Sequence, residues 1–238
     1  MLSILVDGAR ELGIDLSKDQ LKLFQRYYEV LADWSERVSL TTVRDEEGVQ
    51  RRHFLESAAL IPILEQEGLP LDDRSLVDVG SGTGVPGIPL KILVPGLRVT
   101  VVEAKQRKAD FLRTLLLELG LTDVTVVNAR AEQAGRDERH REQYDYAVAK
   151  ALAPIRSLAE LTLPLVHMGG VVIAPKGREA EAEIKDAQVA LEMLKGSLRL
   201  VEAIPLTKPA QYVVLIDKEL PTPLRFPRRP GVPAKRPL

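Results

Sequence analysis

The sequence predicts an α/β fold: a Rossmann-like, seven-stranded, mostly parallel sheet that ends in an antiparallel hairpin and carries a helical N-terminal extension. Three observations point there. From residue 76 onward, short runs rich in Val, Ile and Leu alternate with stretches of helical spacing. The last two runs are joined by a link too short to hold a crossover helix. Residues 1–70, by contrast, show no strand pattern. A chain of 238 residues with 45% hydrophobic content has room for one such core and modest extensions, but not for two large independent domains.

The elements follow in order. Within 1–70, Ser17 and Gln20 form a capping box, and Leu21, Phe24, Tyr28 and Leu31 recur at helical spacing. Strands are predicted at 76–79, 99–102, 124–127, 146–149, 171–174, 198–201 and 212–216. Between them lie a helix at 88–94, with Pro86 suited to its first turn, and a stronger one in which Leu112, Leu115, Leu116 and Leu119 share a face and Gly120 marks the stop. Further helices are predicted at 155–167 and 178–195. Alternation of strand and helix implies parallel pairing with right-handed crossovers. The short link at 203–210 makes the last two strands an antiparallel hairpin. The tail holds Pro227, Pro230, Pro233 and Pro237, so it is expected to form no regular structure and either to wrap the domain or to extend from it. The chain thus divides into a helical extension at 1–70, a core domain at 71–223 and a basic, proline-rich tail at 224–238.

Composition narrows the chemistry. With no cysteine, the chain has no disulfide, thiolate metal site or cysteine nucleophile, and only His53, His140 and His167 offer imidazoles, so no metal site is expected. The opening residues meet Asp7, Arg10 and Glu11 at once, unlike a secretory signal, and no apolar run approaches the roughly 20 residues of a membrane span. The expectation is a cytoplasmic protein without a membrane partner. A net charge of −1 argues against generalised attraction to RNA, so nucleic-acid binding would need a local basic patch.

The segment Asp78-Val79-Gly80-Ser81-Gly82-Thr83-Gly84-Val85-Pro86-Gly87 follows the first strand and opens a helix. Glycines at 80, 82 and 84 remove Cβ atoms where a backbone turns sharply and approaches a ligand closely. Glu103, at the end of the second strand, stands where a carboxylate accepts the hydroxyls of a ribose. Together they specify a nucleoside-containing cofactor. Gly82, Gly84 and Gly87 also satisfy the dinucleotide spacing, which leaves a nicotinamide cofactor and an oxidoreductase as the alternative. Asp78 favours S-adenosylmethionine, because a carboxylate beside the loop suits a sulfonium and an ammonium and repels a pyrophosphate. After the third strand, Ala131 and Glu132 fall where an adenine ring would lie.

These residues carry a resemblance. A parallel sheet ending in such a hairpin is the layout of class I S-adenosylmethionine-dependent methyltransferases. The chain more specifically resembles the bacterial RsmG (GidB) family. The resemblance runs through 34–42, His53-Phe54-Leu55-Glu56-Ser57, 78–89, 103–112, Arg130-Ala131-Glu132, Lys150-Ala151, Lys176-Gly177 and 225–238. It implies transfer of a methyl group to guanine N7 in the 530 loop of 16S ribosomal RNA. It also implies cofactor contacts at Gly80, Val85, Glu103, Ala104, Lys105, Ala131, Glu132 and Lys150. The chain departs from the family in having Val85 for Phe or Leu, Lys150 for Arg and Glu56 for Asp. The implied partner is 16S RNA or the small-subunit particle, met by a monomer; a non-catalytic ribosome-binding module is the further alternative.

Guanine N7 exposes a lone pair on the major-groove edge, so direct in-line transfer needs neither a general base nor a covalent enzyme intermediate. Catalysis then consists of positioning the base and supplying donors to its O6. Lys150 and Lys176, at the ends of the fourth and fifth strands, are the candidate positioning residues. Carbon-5 methylation of a pyrimidine commonly needs the cysteine this chain lacks. Amino methylation in related enzymes uses a Pro-Pro-Tyr type motif where this chain reads Lys150-Ala151-Leu152-Ala153. The required basic patch occurs twice, as Arg225, Arg228, Arg229, Lys235 and Arg236 in the tail, and as Arg44, Arg51, Arg52 and His53. Taken singly, His53 reads as a structural hydrogen-bonder beside Glu56, and Trp34 as packing.

Overall fold

The structure, a computed structural model, describes residues 2–43 and 45–238. Its N-terminal part is helical: α1 (Ser3–Glu11), α2 (Lys18–Arg37), α3 (Glu46–Val49), a π-helical turn (Gln50–Leu55), α4 (Glu56–Ala58) and α5 (Leu60–Gln66). The predicted capping box opens α2, with the Gln20 backbone N–H donating to Ser17 Oγ at 3.1 Å and the Ser17 N–H to Gln20 Oε1 at 2.9 Å.

Alternation then begins with β1 (Ser75–Val79), α6 (Gly87–Leu93), β2 (Arg98–Val102), α7 (Gln106–Leu119), β3 (Val124–Val127), α8 (Ala131–Ala134) and β4 (Tyr144–Val148). It continues through α9 (Ile155–Thr162), β5 (Val166–Lys176), α10 (Ala180–Leu194), β6 (Gly196–Ile204), β7 (Gln211–Lys218) and the short α11 (Val232–Lys235). The strands form one seven-stranded sheet in the order β3-β2-β1-β4-β5-β7-β6. The first five are parallel, and β7 runs antiparallel to both β5 and β6. The hairpin strand β7 is therefore inserted beside β5, which leaves β6 at the edge.

Alternate residues of the strands feed two cores. Leu76, Val99, Val101, Val148 and Ile173 face the helical extension, and Phe24, Tyr27, Leu31, Phe54 and Leu60 belong to that same cluster. Val77, Val79, Ala147, Val172 and Ala174 face the other way, beneath α9 and α10. Phe54 of the π-helical turn packs, with tilted rings, at 4.8 Å from Phe24 and 5.2 Å from Tyr27, ring centre to ring centre. Trp34 packs edge-on against Phe111 of α7 at 5.8 Å, in the packing role expected of it.

Three expectations need correction. The helix predicted to reach 167 stops at Thr162, because Pro164 cannot continue it, and Val166 already belongs to β5. Pro86 sits at the N-cap of α6 rather than inside its first turn. The tail is not devoid of regular structure: Gly231, at φ 81°, caps α11, whose first turn accommodates Pro233. For the rest the tail wraps the domain. Arg136 Nε donates to Pro227 O at 2.7 Å, and Arg141 donates to Phe226 O and Thr222 O at 2.8 and 2.6 Å.

Candidate active site

The loop between β1 and α6 turns at the carboxyl edge of the sheet, where the Gly80 and Ser81 N–H groups donate to Val102 O at 2.8 and 3.2 Å. Its glycines serve different ends. Gly80 has φ +71° and is exposed, but a Cβ there would lie 2.6 Å from Leu152 Cδ1, so its bareness admits the loop after β4. Gly84 (φ +91°) is turned inward, its missing Cβ leaving room for Ile88, the Tyr27 hydroxyl and Leu112. The expectation that Gly84 makes room for a ligand is thus corrected: it makes room for the core. Tyr27 donates its hydroxyl to Thr83 O, which fastens the glycine loop to α2.

Asp78, expected beside the cofactor, is fully buried under the loop. Its Oδ2 accepts from Ser81 Oγ at 2.8 Å and from the Gly87 N–H at 2.9 Å, so it ties the loop to the start of α6. Its Oδ1 is buried with no partner among the described residues. Burial pushes this carboxyl up to about 6. Glu103 is presented by its surroundings: the Gly82 N–H donates to Oε2 at 3.0 Å and the Lys105 N–H to Oε1 at 2.7 Å. Asn128 Nδ2 holds the Glu103 carbonyl at 2.8 Å. A carboxylate offers about four acceptor positions, so each oxygen keeps capacity for a hydroxyl. Ala104 and Lys105 are exposed beside it, and Lys105 acts here through its backbone. Ala131 is half-buried at the start of α8, whereas the Glu132 carboxylate is already engaged, accepting from the Gly231 N–H of the tail at 2.7 Å.

A cavity of about 620 Å³ opens between this loop and the helical extension. Gly80, Gly82 and Val85 line one side; Thr41, Arg52, His53 and Glu56 line the other; Lys150 and Lys176 close it. Lys150 Nζ donates to Glu56 Oε2 at 2.6 Å and to Arg52 O at 2.5 Å. Glu56 and Lys150, two of the positions at which the chain departs from its family resemblance, are therefore partners in one ion pair. Lys176, expected at an open rim, is buried; its ammonium donates to Ala153 O at 2.5 Å and to Glu183 Oε2 at 2.7 Å. Glu183 also accepts from the Ile155 N–H at 2.9 Å, so Lys176 braces the loop over the cavity. His53 does not bond Glu56 as expected. Its Nε2 lies 3.5 Å from Thr41 Oγ1, its Nδ1 is buried without a partner among the described residues, and burial with Lys150 nearby holds the imidazole down at about 4.

The two predicted basic patches differ. In the tail, Arg228 is committed to Glu160, a wholly buried carboxylate of α9, by a two-pronged contact with Nε at 2.8 Å and the terminal nitrogen at 2.6 Å. Arg228 is thereby corrected from an RNA contact to an internal anchor, while Arg225, Arg229, Lys235 and Arg236 remain exposed. In the other patch, Arg51 is exposed and bonded to Glu47 at 2.9 Å, Arg52 is exposed at the cavity mouth, and Arg44 lies outside the described residues. Sequence reasoning missed Thr41, Lys108 and Leu152 on the cavity wall, and Glu160 and Glu183 as anchors. Only Glu160 left a trace, as a charge beside the apolar Leu158, Ala159 and Leu161.

Relatives and structural neighbours bear on this arrangement. The chain is 45% identical over 240 residues to a ribosomal RNA small subunit methyltransferase G of Roseiflexus sp. (strain RS-1), with all of both chains covered. It is 40% identical to the protein of that name from Alkaliphilus metalliredigens (strain QYMF), covering 99% of this chain and 98% of the relative. Among solved structures, a precorrin-6y C5,15-methyltransferase from Geobacter metallireducens GS-15 superposes with a TM-score of 0.50 at 15% identity, over 69% of this chain and 87% of that one. A mutant of MtNAS in complex with S-adenosylmethionine gives 0.54 at 21% identity, over 92% and 78%. At such identities these neighbours speak for the fold, that of class I methyltransferases. The family model described as GidB, rRNA small subunit methyltransferase G, matches residues 20–209, and the chain belongs to that family.

Proposed function

We propose that this protein uses S-adenosylmethionine to methylate N7 of a guanine in the 530 loop of 16S ribosomal RNA. The observation that carries the reading is the cavity between the glycine loop, whose Gly82 N–H holds Glu103, and the helical extension, which brings Arg52 to its mouth. Glu103, held by two backbone N–H groups, has acceptors left for both ribose hydroxyls. Gly80, Gly82 and Val85 offer backbone and apolar surface beside it, with Ala104 and Lys105 flanking and Ala131 toward the adenine. The unpartnered Oδ1 of Asp78 is an acceptor suited to a cationic amino-acid end, so the donor set fits this cofactor better than a pyrophosphate. When bound, S-adenosylmethionine supplies a methyl group on a sulfonium.

The guanine needs no deprotonation, because the N7 lone pair forms the new N–C bond as the sulfonium's S–C bond breaks, leaving a cationic base and a neutral thioether. The work left to the chain is positioning. Lys150 faces the cavity and suits O6, and Lys176 acts at one remove by bracing 153–155. Arg51, Arg52, Arg225, Arg229, Lys235 and Arg236 are the candidates to track phosphate. Under this reading the extension at 1–70 is the RNA wall, 71–223 the transferase core and 224–238 a strap. The same reading has the protein act as a monomer, and the substrate sets the place of action in the cytoplasm. Among the described residues no helix is long and apolar enough to cross a membrane, and no group of His, Asp and Glu could hold a metal.

The test is methyl transfer in vitro. Protein and S-adenosylmethionine are incubated with naked 16S RNA and with small subunits, and the digested nucleosides are analysed by mass spectrometry. 7-Methylguanosine in either substrate is expected; its absence from both, or a methyl group on another base, overturns the reading.

A further inference from the structure

The Glu56–Lys150 pair ties the loop after β4 to the helical extension across the cavity wall, and its unused hydrogen-bonding capacity matches one base only. Lys150 Nζ has three protons, of which two go to Glu56 Oε2 and Arg52 O. Glu56 Oε1 has no hydrogen-bond partner among the described residues, and Oε2 receives only Lys150. Side by side, the pair therefore presents one donor and then two acceptors to the cavity. Both side chains are mostly withdrawn from water, at 15% exposure for Glu56 and 22% for Lys150. A base that fails to meet their open positions leaves a poorly solvated carboxylate unmatched.

The edge that complements donor, acceptor, acceptor is acceptor, donor, donor. Guanine carries that order along its Watson–Crick edge, as O6, N1–H and the exocyclic amine. Uracil ends in a carbonyl where the second donor is required, and cytosine places two acceptors against the carboxylate. Adenine meets one donor and one acceptor only. We propose that Glu56 and Lys150 read the target guanine along its Watson–Crick edge, Glu56 accepting from N1–H and the exocyclic amine while Lys150 donates to O6.

This placement rests on the guanine-N7 reading above and adds an orientation to it. O6 and N7 are neighbours on guanine, and Lys150 follows β4, which pairs with β1 next to the glycine loop. A base held with O6 on Lys150 and its amine on Glu56 turns N7 away from the helical extension, toward Gly80 and Gly82. The ion pair need not open, because each partner uses only its spare positions. Thr41 and His53 line the same wall.

The test replaces the exocyclic amine. 16S RNA carrying inosine in place of the target guanosine, made by ligation, is presented to the full-length protein both naked and in reconstituted subunits. Inosine keeps N7, O6 and N1–H. Wild-type protein is expected to lose roughly 10- to 100-fold in kcat/KM on inosine, the effect of leaving a buried acceptor without its donor. Glu56→Gln is expected to methylate guanosine more slowly and to bring the guanosine-to-inosine ratio close to one, with S-adenosylmethionine affinity unchanged by calorimetry as proof of fold. Equal wild-type rates on both RNAs, or an unaltered ratio in Glu56→Gln, overturn the base-reading role alone. No transfer by wild type to the guanosine RNA in either form overturns the methyltransferase reading and this proposal with it.

Discussion

Two arginine-rich segments that look alike in sequence, the tail at 225–236 and the turn at 51–53, end in opposite circumstances. In the tail, Arg228 lies against the fully buried Glu160 and holds a proline-rich segment to α9. In the turn, a π-helical segment presents Arg52 to a cavity, α4 follows at once with Glu56, and the cation that pairs with Glu56 arrives from the far end of β4. The difference lies in the partner. A guanidinium that finds a desolvated carboxylate becomes part of the fold, and one that faces open space stays available to a phosphate. Density of charge in sequence cannot distinguish the two.

The comparison is broken most easily at Glu160. Removing one partner of a buried pair strands the other charge, so Glu160→Ala should lose about 3–5 kcal/mol of stability, read by urea unfolding. A loss below about 1 kcal/mol would mean that the tail anchor is no more than a surface contact.

The next effect depends on pH and concerns His53. The imidazole titrates near 6.5 when unfolded and near 4 when folded, so the unfolded chain takes up the proton first as pH falls. Its contribution is therefore complete above about 6.5 and is lost as pH falls toward 4. At pH 5 the loss is about 2 kcal/mol. Asp78 runs the other way: raised to about 6 from 3.8, it costs stability above 6 and that cost is relieved as pH falls toward 3.8. In wild type the two largely offset each other between pH 6.5 and 4. Compared with wild type, His53→Gln should gain about 2 kcal/mol between pH 7.5 and pH 5; a pH-independent difference would show that His53 is solvated.

The smallest expected effects are those on RNA affinity. Arg52→Ala and Arg229→Ala should each reduce the slope of log affinity against log salt by about one, with unfolding unchanged to within about 0.5 kcal/mol. Arg228→Ala should do the reverse, lowering stability and leaving the slope alone. A slope change at Arg228 equal to that at Arg229 would erase the distinction between the segments.

The legibility of the two cores differs in the same way. All seven strands could be read from their apolar runs; the signal is strongest in central strands such as β1 and β4, which are covered on both faces and need near-continuous burial, while β3 and β6 lie at the edges and are partly exposed. The capping box at Ser17 and the stop at Gly120 were equally plain, since each satisfies its own backbone groups locally. Glu103 was legible for a related reason, as a carboxylate at a strand end beside a glycine loop. What could not be read depended on residues far apart in sequence. Lys150 meets Glu56 across 94 positions, Arg228 meets Glu160 across 68, and Gly231 meets Glu132 across 99. Gly84 looked like its neighbours and proved to serve Tyr27, a contact no local pattern announces.

The central claim is that Glu103 and the adjoining cavity place a methyl group on small-subunit RNA. Its most direct test is the nucleoside content of 16S RNA from cells lacking the gene, complemented with wild type or with Glu103→Ala at matched protein levels. The account predicts that wild type restores one 7-methylguanosine and that Glu103→Ala restores little or none. Full restoration by Glu103→Ala, or no 7-methylguanosine even with wild type, would contradict it.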